Sequence, residues 1–296
     1  MRRRTLRLLV ADDLKNWRDA LKVLFDDRPD ILVEEAVSGD DAVEKVKAKE
    51  YDLVLLDMRM PSGTEGLDAL AGIRRSKPRT QVIVMSAFGD YGKVVEAMKR
   101  GALDFLPKDE SFHDLVRFRV DEFIRQMLLV ADRERLIRAK YAEALRSRHP
   151  QRKGKALEDL LAALMASVDG FFEIGRNINT ETEEIDLVFR NGSQEPAWRR
   201  ESEIIMLECK NWASQRVGKN ELVSFERKIE NRRERCRLGF LVCTESFAET
   251  VNKELLRSSR SGVVVAPIDG GDLRHLVDSE NRSQLLRRFV DRALLL

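Results

Sequence analysis

Five short apolar runs, each followed by a segment with helical spacing, occupy residues 5–108 and constrain the fold more than any other feature of the chain. The runs are Leu6–Ala11, Ile31–Val37, Leu53–Asp57, Val82–Ser86 and Leu103–Leu106, and they are rich in Val, Ile and Leu. Strands that are apolar without alternation are those buried on both faces. Alternating strand and helix with short connections predicts a doubly wound, five-stranded parallel sheet. In that architecture functional groups gather beyond the carboxyl ends of the strands.

The residues at those ends are chemically matched. Asp12 and Asp13 close the first run, Asp57 the third and Ser86 the fourth, and Lys108 follows the fifth. Three carboxylates on one edge repel each other unless a divalent cation neutralises them, and all-oxygen ligands suit Mg²⁺. With a hydroxyl and an ammonium beside it, the set can share the charge of a phosphoryl group on Asp57. Any one of these residues alone would be an ordinary cap or surface acid. The constellation Asp12-Asp13, Asp57, Ser86 and Lys108 resembles the receiver domain of two-component response regulators, over about residues 4–115. That resemblance implies a flavodoxin-like fold, with Asp57 as the phosphoacceptor and a sensor histidine kinase as phosphodonor. It also implies Mg²⁺ held by Asp12, Asp13, Asp57 and the carbonyl of Arg59, and a switch formed by Ser86, Phe105 and Lys108. Two features depart from the family pattern. The segment Pro61-Ser-Gly-Thr-Glu-Gly66 is one residue longer than usual, and Asp109 stands where many receivers have proline.

A chain of 296 residues is long for one core and comfortable for two. No apolar run approaches the roughly 20 residues of a membrane span. The basic start, Met1 to Val10, has too short an apolar stretch for a signal peptide. A soluble, cytoplasmic protein is expected, with no membrane partner. Cys209, Cys236 and Cys243 show no metal-type spacing and there are only three histidines, so free thiols and no zinc site are expected. A net charge of +2 means that any nucleic-acid surface must come from local clustering.

From Ser111 the chain has neither Pro nor Gly until Pro150. Val116, Val120, Phe123, Met127, Val130, Ile137, Tyr141 and Ala144 recur in a 4-3 pattern broken by Glu134. This predicts a long helical coiled-coil linker over 116–150, which would join a first domain, 1–115, to a second, 151–296, and make a homodimer. The alternative is a helix that packs its stripe on its own domain. The polar stretch Arg146–Lys155, with Pro150 and Gly154, is the expected hinge.

The second half carries a further set of acids. A helix over 155–168 has Glu158 near its start. Asp186 lies among apolar residues of the strand-like run Glu183–Phe189, where a carboxylate is costly to bury. The apolar run Ile204–Lys210 ends in Glu-Cys-Lys, and residues two apart on a strand face one side, so Glu208 and Lys210 meet at one spot. Asp186, Glu208 and the carbonyl of Cys209 are hard ligands for Mg²⁺ or Mn²⁺, and Lys210 would hold or activate an attacking water. Glu158, Asp186 and Glu208-Cys-Lys210, followed by Asn211-Trp212, resemble the PD-(D/E)xK nuclease superfamily, in particular its Mrr-like restriction endonuclease branch, over about residues 152–268. The resemblance implies a restriction-endonuclease-like α/β domain with a mixed sheet, catalytic Glu158, Asp186, Glu208 and Lys210, and DNA as substrate. It also implies an assisting polar residue on the following helix, for which Glu221 and Lys228 are candidates. Arg216, Lys219, Lys228 and Arg232 are candidate phosphate contacts. A helix over 221–237 would also present Arg233, Arg235 and Arg237, although interleaved Glu226, Glu230 and Glu234 equally suit a solvated face. The expectation is a response regulator whose phosphorylation at Asp57 controls a metal-dependent endonuclease. Two alternatives stay open: a DNA- or partner-binding protein with a non-cutting nuclease fold, and an RNA-directed nuclease.

Overall fold

The computed structural model describes residues 5–60, 66–87, 91–147, 149–179, 183–212, 215–232, 235–258 and 262–295. Two compact units divide between Leu128 and Leu129.

The first unit alternates β1 (Leu6–Ala11), α1 (Lys15–Leu24), β2 (Ile31–Ala36), α2 (Gly39–Ala48), β3 (Leu53–Asp57), α3 (Gly66–Ser76), β4 (Gln81–Ser86), α4 (Tyr91–Lys99) and β5 (Asp104–Pro107). The helix α5 (Phe112–Arg146) then begins. The strands form one parallel sheet in the order β2-β1-β3-β4-β5. Both faces are covered. Leu9, Val54, Leu56 and Val84 pack with Val46, Leu70 and Ile73, while Leu8, Val10, Leu55 and Met85 pack with Leu21, Phe112, Val116 and Val120 on the opposite face. This two-sided burial is why the strands read as uninterrupted apolar runs. Gly66 is required by close approach: a Cβ there would sit 2.6 Å from the Asp57 carbonyl oxygen. Residues 61–65 of the lengthened Pro61–Gly66 segment lie outside the described residues.

The second unit takes the rest of α5 and continues with α6 (Pro150–Met165), β6 (Phe171–Asn179), β7 (Glu184–Asn191), α7 (Pro196–Arg199), β8 (Ile204–Lys210), α8 (Lys219–Glu230), β9 (Cys236–Cys243), α9 (Glu249–Ser258), β10 (Val264–Ile268), α10 (Gly270–Asp278) and α11 (Arg282–Leu294). Its sheet is mixed, in the order β10-β9-β8-β7-β6. The β6–β7 and β7–β8 pairs are antiparallel, and the β8–β9 and β9–β10 pairs parallel. Leu187, Phe189, Ile205, Leu207 and Phe240 face helices α5, α6, α10 and α11 through residues such as Ile137, Leu157, Leu160, Leu273 and Val290. Val188, Met206 and Leu241 face α8 and α9 through Leu222, Phe225, Ile229 and Val251.

Three expectations are corrected. Apart from Val130, which is exposed, the 4-3 seam of α5 is spent inside single units: Val116 and Val120 are buried in the first core, with Phe123 and Met127 packed against it. Ile137 and Ala144 are buried in the second core, with Tyr141 against it. Glu134, which interrupts the seam, pairs with Arg282 at 2.6 Å. One helix serving two cores produces the same periodicity as a two-stranded coiled coil. The expected hinge is largely helical, because Pro150 starts α6 at its first turn, where its fixed φ is favourable and its missing N–H costs nothing. Its Arg148 lies outside the described residues. The basic helix stops at Glu230, leaving Arg232 and Arg235 in the following turn and Arg237 on β9, while Arg233 and Glu234 lie outside the described residues. The helix α10 was not expected from the sequence; it is capped by Asp269, whose side chain accepts from the Asp272 amide. Among the described residues no helix is long and apolar enough to cross a membrane.

Candidate functional site

The sheet of the first unit delivers Asp12, Asp13 and Asp57 to one edge, with a carboxylate oxygen from each lying within 4.8 Å of the others. Asp12 is fully buried and Asp57 nearly so. Burial raises the Asp57 carboxyl above its ordinary range, the Lys108 ammonium beside it pulls it down, and the charge of Asp12 raises it again. The Lys108 Nζ donates to Asp12 Oδ2 at 2.6 Å and lies 2.7 Å from Asp57 Oδ1. It also sits 5.0 Å above the ring of Trp17. Backbone bonds fix the frame: Lys108 N donates to the Ser86 carbonyl at 2.8 Å and Met58 N to the Met85 carbonyl at 2.9 Å. The Arg59 amide donates to Asp57 Oδ2 at 3.1 Å. The Arg18 guanidinium donates to the carbonyls of Asp12 and Asp13, holding the acidic turn. Ser86 is buried at the end of β4, and Phe105 is half-buried on β5 against the adjoining core. Three hard oxygen donors with a counter-ion alongside fit Mg²⁺. Trp17 and Arg18 were not anticipated; their only signal in the sequence is their place in the first turns after the acid pair.

In the second unit β7 and β8 bring the other acids together. Their antiparallel register pairs Leu187 with Leu207, and one further step sets Asp186 opposite Glu208. Asp186 Oδ2 accepts from the Cys209 amide at 2.6 Å. Burial pushes its carboxyl up to about 6, with repulsion from Glu208 second and from Glu158 smaller, so Glu158 on α6 is part of the same field. Glu208 is buried, and each of its oxygens meets a lysine at 2.8 Å: Lys210 on Oε1 and Lys228, from α8, on Oε2. Lys228 also donates to the Glu184 carbonyl. Burial alone would lower the Lys210 ammonium, but pairing with Glu208 and then Asp186 carries it above its ordinary value, so it is charged at neutral pH. Two close carboxylates, one of them resisting ionisation, form a donor set suited to a hard divalent cation.

Of the expected phosphate contacts, Arg216 and Lys219 are exposed. Lys228 is engaged with Glu208, and Arg232 pairs with Glu183 at 2.7 Å. Lys219 and Lys228 line, with Arg227, Ser224, Glu183 and Glu254, a cavity of about 590 Å³. The helix α8 approaches the sheet closely because β9 offers Gly239 beneath it, where a Cβ would meet Ile229 at 2.4 Å.

Comparison with known proteins matches residues 8–118 to the response regulator receiver domain. The chain is 42% identical over 103 residues to a chemotaxis protein CheY of Listeria monocytogenes, covering 35% of this chain and 86% of that one. It is 36% identical over 111 residues to the nitrate/nitrite response regulator protein NarL of Escherichia coli, covering 37% of this chain and 51% of that one. Among solved structures it resembles the response regulator domain of Thermotoga maritima CheB, at 34% identity and a TM-score of 0.37, covering 42% of this chain and 96% of that one.

Proposed function

Because the chain belongs to the response regulator receiver family through residues 8–118, we propose that phosphorylation of Asp57 governs a metal-dependent nuclease in the second unit, acting on double-stranded DNA. In the first step an Asp57 oxygen attacks the phosphorus of a phosphodonor, a sensor histidine kinase in the cell, and the bond from phosphorus to the donor breaks. Lys108, already on Asp57, shares the added charge, and the Ser86 hydroxyl supplies a further donor at the β4 end. Mg²⁺ held by Asp12, Asp13, Asp57 and the Arg59 carbonyl would neutralise the remainder.

The observation that carries the nuclease reading is the meeting of Asp186 and Glu208 on neighbouring strands, with charged Lys210 on Glu208. Asp186, Glu208 and the Cys209 carbonyl would hold a Mg²⁺ or Mn²⁺ ion, which would supply Lewis-acid polarisation of a phosphodiester and of water. Lys210, as an ammonium, donates to the developing phosphorane oxygens, while the attacking water gives its proton to bulk solvent and the bond from phosphorus to the leaving oxygen breaks; Glu158 adds negative field near Asp186. Arg216 and Lys219 hold the flanking phosphates. Cutting both strands takes two such centres, hence a homodimer. Leu129 and Leu136 on α5 are exposed one heptad apart within the second unit, which offers the second copy a surface in place of the buried seam.

Supercoiled plasmid incubated with the protein and Mg²⁺ should be nicked or linearised, and Lys210→Ala should slow this by about 10²-fold or more. Equal loss with both proteins would expose a contaminant. Binding of plasmid without loss in any metal would move the reading to a non-cutting binding protein, and loss confined to RNA would move it to an RNA-directed nuclease.

A further inference from the structure

Asn211 follows Lys210 directly, and its side chain is fully engaged by three separate elements. Its Nδ2 donates to the carbonyl of Ala144, in the last turns of α5, at 3.2 Å, and to the carbonyl of Lys153, in the first turns of α6, at 2.7 Å. Its Oδ1 accepts from the Thr244 hydroxyl, just past the end of β9, at 2.7 Å. The orientation of the amide is fixed by chemistry, since two carbonyl oxygens can only accept and must face the NH₂ group. An amide with both N–H groups and its oxygen satisfied, half-buried, is costly to move.

The position of this clamp in the chain gives it meaning. The helix α5 runs without a break from Phe112, buried in the receiver core, to Arg146, and its far end buries Ala144 in the core of the second unit. About three turns before its end the helix is tied again by Arg282, which grips Glu134 with two nitrogens and is itself buried. The carbonyl that closes α5 is therefore bonded to the residue adjoining Lys210, and the strand that bears Glu208 and Lys210 has its exit held by the helix that leaves the receiver.

We infer that Asn211 is a positioning residue that couples α5 to the Glu208–Lys210 strand end, so that a change at the receiver end of α5 alters the placement of Lys210. This rests on the reading of that strand end as the reacting site, although the coupling itself is read without any substrate. A small rotation or shift of the last turn of α5 moves the Ala144 carbonyl, and Asn211 must follow or lose a bond. Either outcome displaces the peptide that joins it to Lys210.

The test is amide hydrogen exchange on the full chain with Mg²⁺, with and without acetyl phosphate. In the wild type, peptides spanning 207–212 should change their exchange rate by about threefold or more on addition of the phosphodonor. Asp57→Ala should abolish that response. Asn211→Ala should abolish it too while the receiver peptides spanning 81–87 and 102–110 still respond. Asn211→Asp keeps the size of the side chain and its bond to Thr244 but cannot donate to the two carbonyls. It should fold with a lower melting temperature than the wild type and lose the response as completely. A wild-type response at 207–212 that survives in either folded Asn211 variant, or no response in the wild type, overturns the proposal. A chain that responds as described but cuts nothing would lose the nuclease reading and keep the coupling; one that cuts without responding would do the reverse.

Discussion

Burial and the neighbouring Glu208 hold the Asp186 carboxyl near 6, well above its ordinary 3.8. The folded chain therefore keeps a proton that the unfolded chain releases between about pH 4 and 6, and stability falls as pH rises through that window. At neutral pH the ionised side chain costs on the order of 1–2 kcal/mol after allowance for solvent. Asp186→Asn should accordingly raise the melting temperature at pH 7.5 in EDTA by a few degrees while removing the proposed nuclease activity. A melting temperature at or below that of the wild type would show that the carboxylate is not strained. By the same titration, protons compete with the metal for Asp186, so the Mg²⁺ concentration needed for the proposed cutting should rise as pH falls below about 6. The cysteines behave differently. Burial pushes Cys236 to about 11 and Cys243 to about 12, so both should resist a thiol reagent at pH 8 until the chain unfolds. Rapid labelling of either in the native protein would contradict their burial.

Among the elements, α5 shows most clearly what a sequence can and cannot disclose. Its existence and length follow from a run free of Pro and Gly, and its apolar period is plain. What the period cannot reveal is the partner, because a second copy and two successive cores of the same chain demand the same spacing. Glu134 is the discriminating residue: it looks like a flaw in a seam and is the contact by which the buried Arg282 is neutralised. Arg282 holds the Glu134 carboxyl below its ordinary range, so the contribution of the pair is complete above about pH 4.5 and is lost as pH falls through the lowered value. Glu134→Ala should cost about 1–3 kcal/mol in urea unfolding at pH 7, and the cost should shrink progressively as pH falls below about 4.5. An equal cost across that range would mean that packing, and not charge, is what the residue supplies.

The receiver strands were legible because two-sided burial leaves an unmistakable apolar run, and the acids at their ends because chain order places them at strand termini. Asp186 was legible as a costly polar insertion in an apolar strand, and Glu208 by its spacing of two from Lys210 at a strand end. Lys228 was named as a candidate to assist this site, alongside Glu221, though not its bond to Glu208; Trp17 under Lys108 and Asn211 on Ala144 were not assigned these contacts from the sequence, since each depends on how one element packs over another. Trp17 offers its own check. It lies edge-on to Phe112 and stacks on His113 at the start of α5, so its fluorescence should change when Asp57 is phosphorylated, in a chain whose Trp198 and Trp212 are replaced by Phe. An unchanged spectrum would separate Lys108 and the start of α5 from the phosphorylation event.

At the scale of the whole molecule, a phosphorylation site built on one parallel sheet and a cluster of two acids and two lysines on a mixed sheet are carried by one chain and share a single continuous helix. Free energy released at Asp57 can act on the second cluster only through a structural difference that both units experience, and α5 is buried in each. The most direct test of this account is the initial rate of plasmid nicking in Mg²⁺, measured with and without acetyl phosphate for the wild type and for Asp57→Ala. The account predicts a severalfold change in rate with the phosphodonor in the wild type and none in Asp57→Ala; the same response to the phosphodonor in both proteins would contradict it.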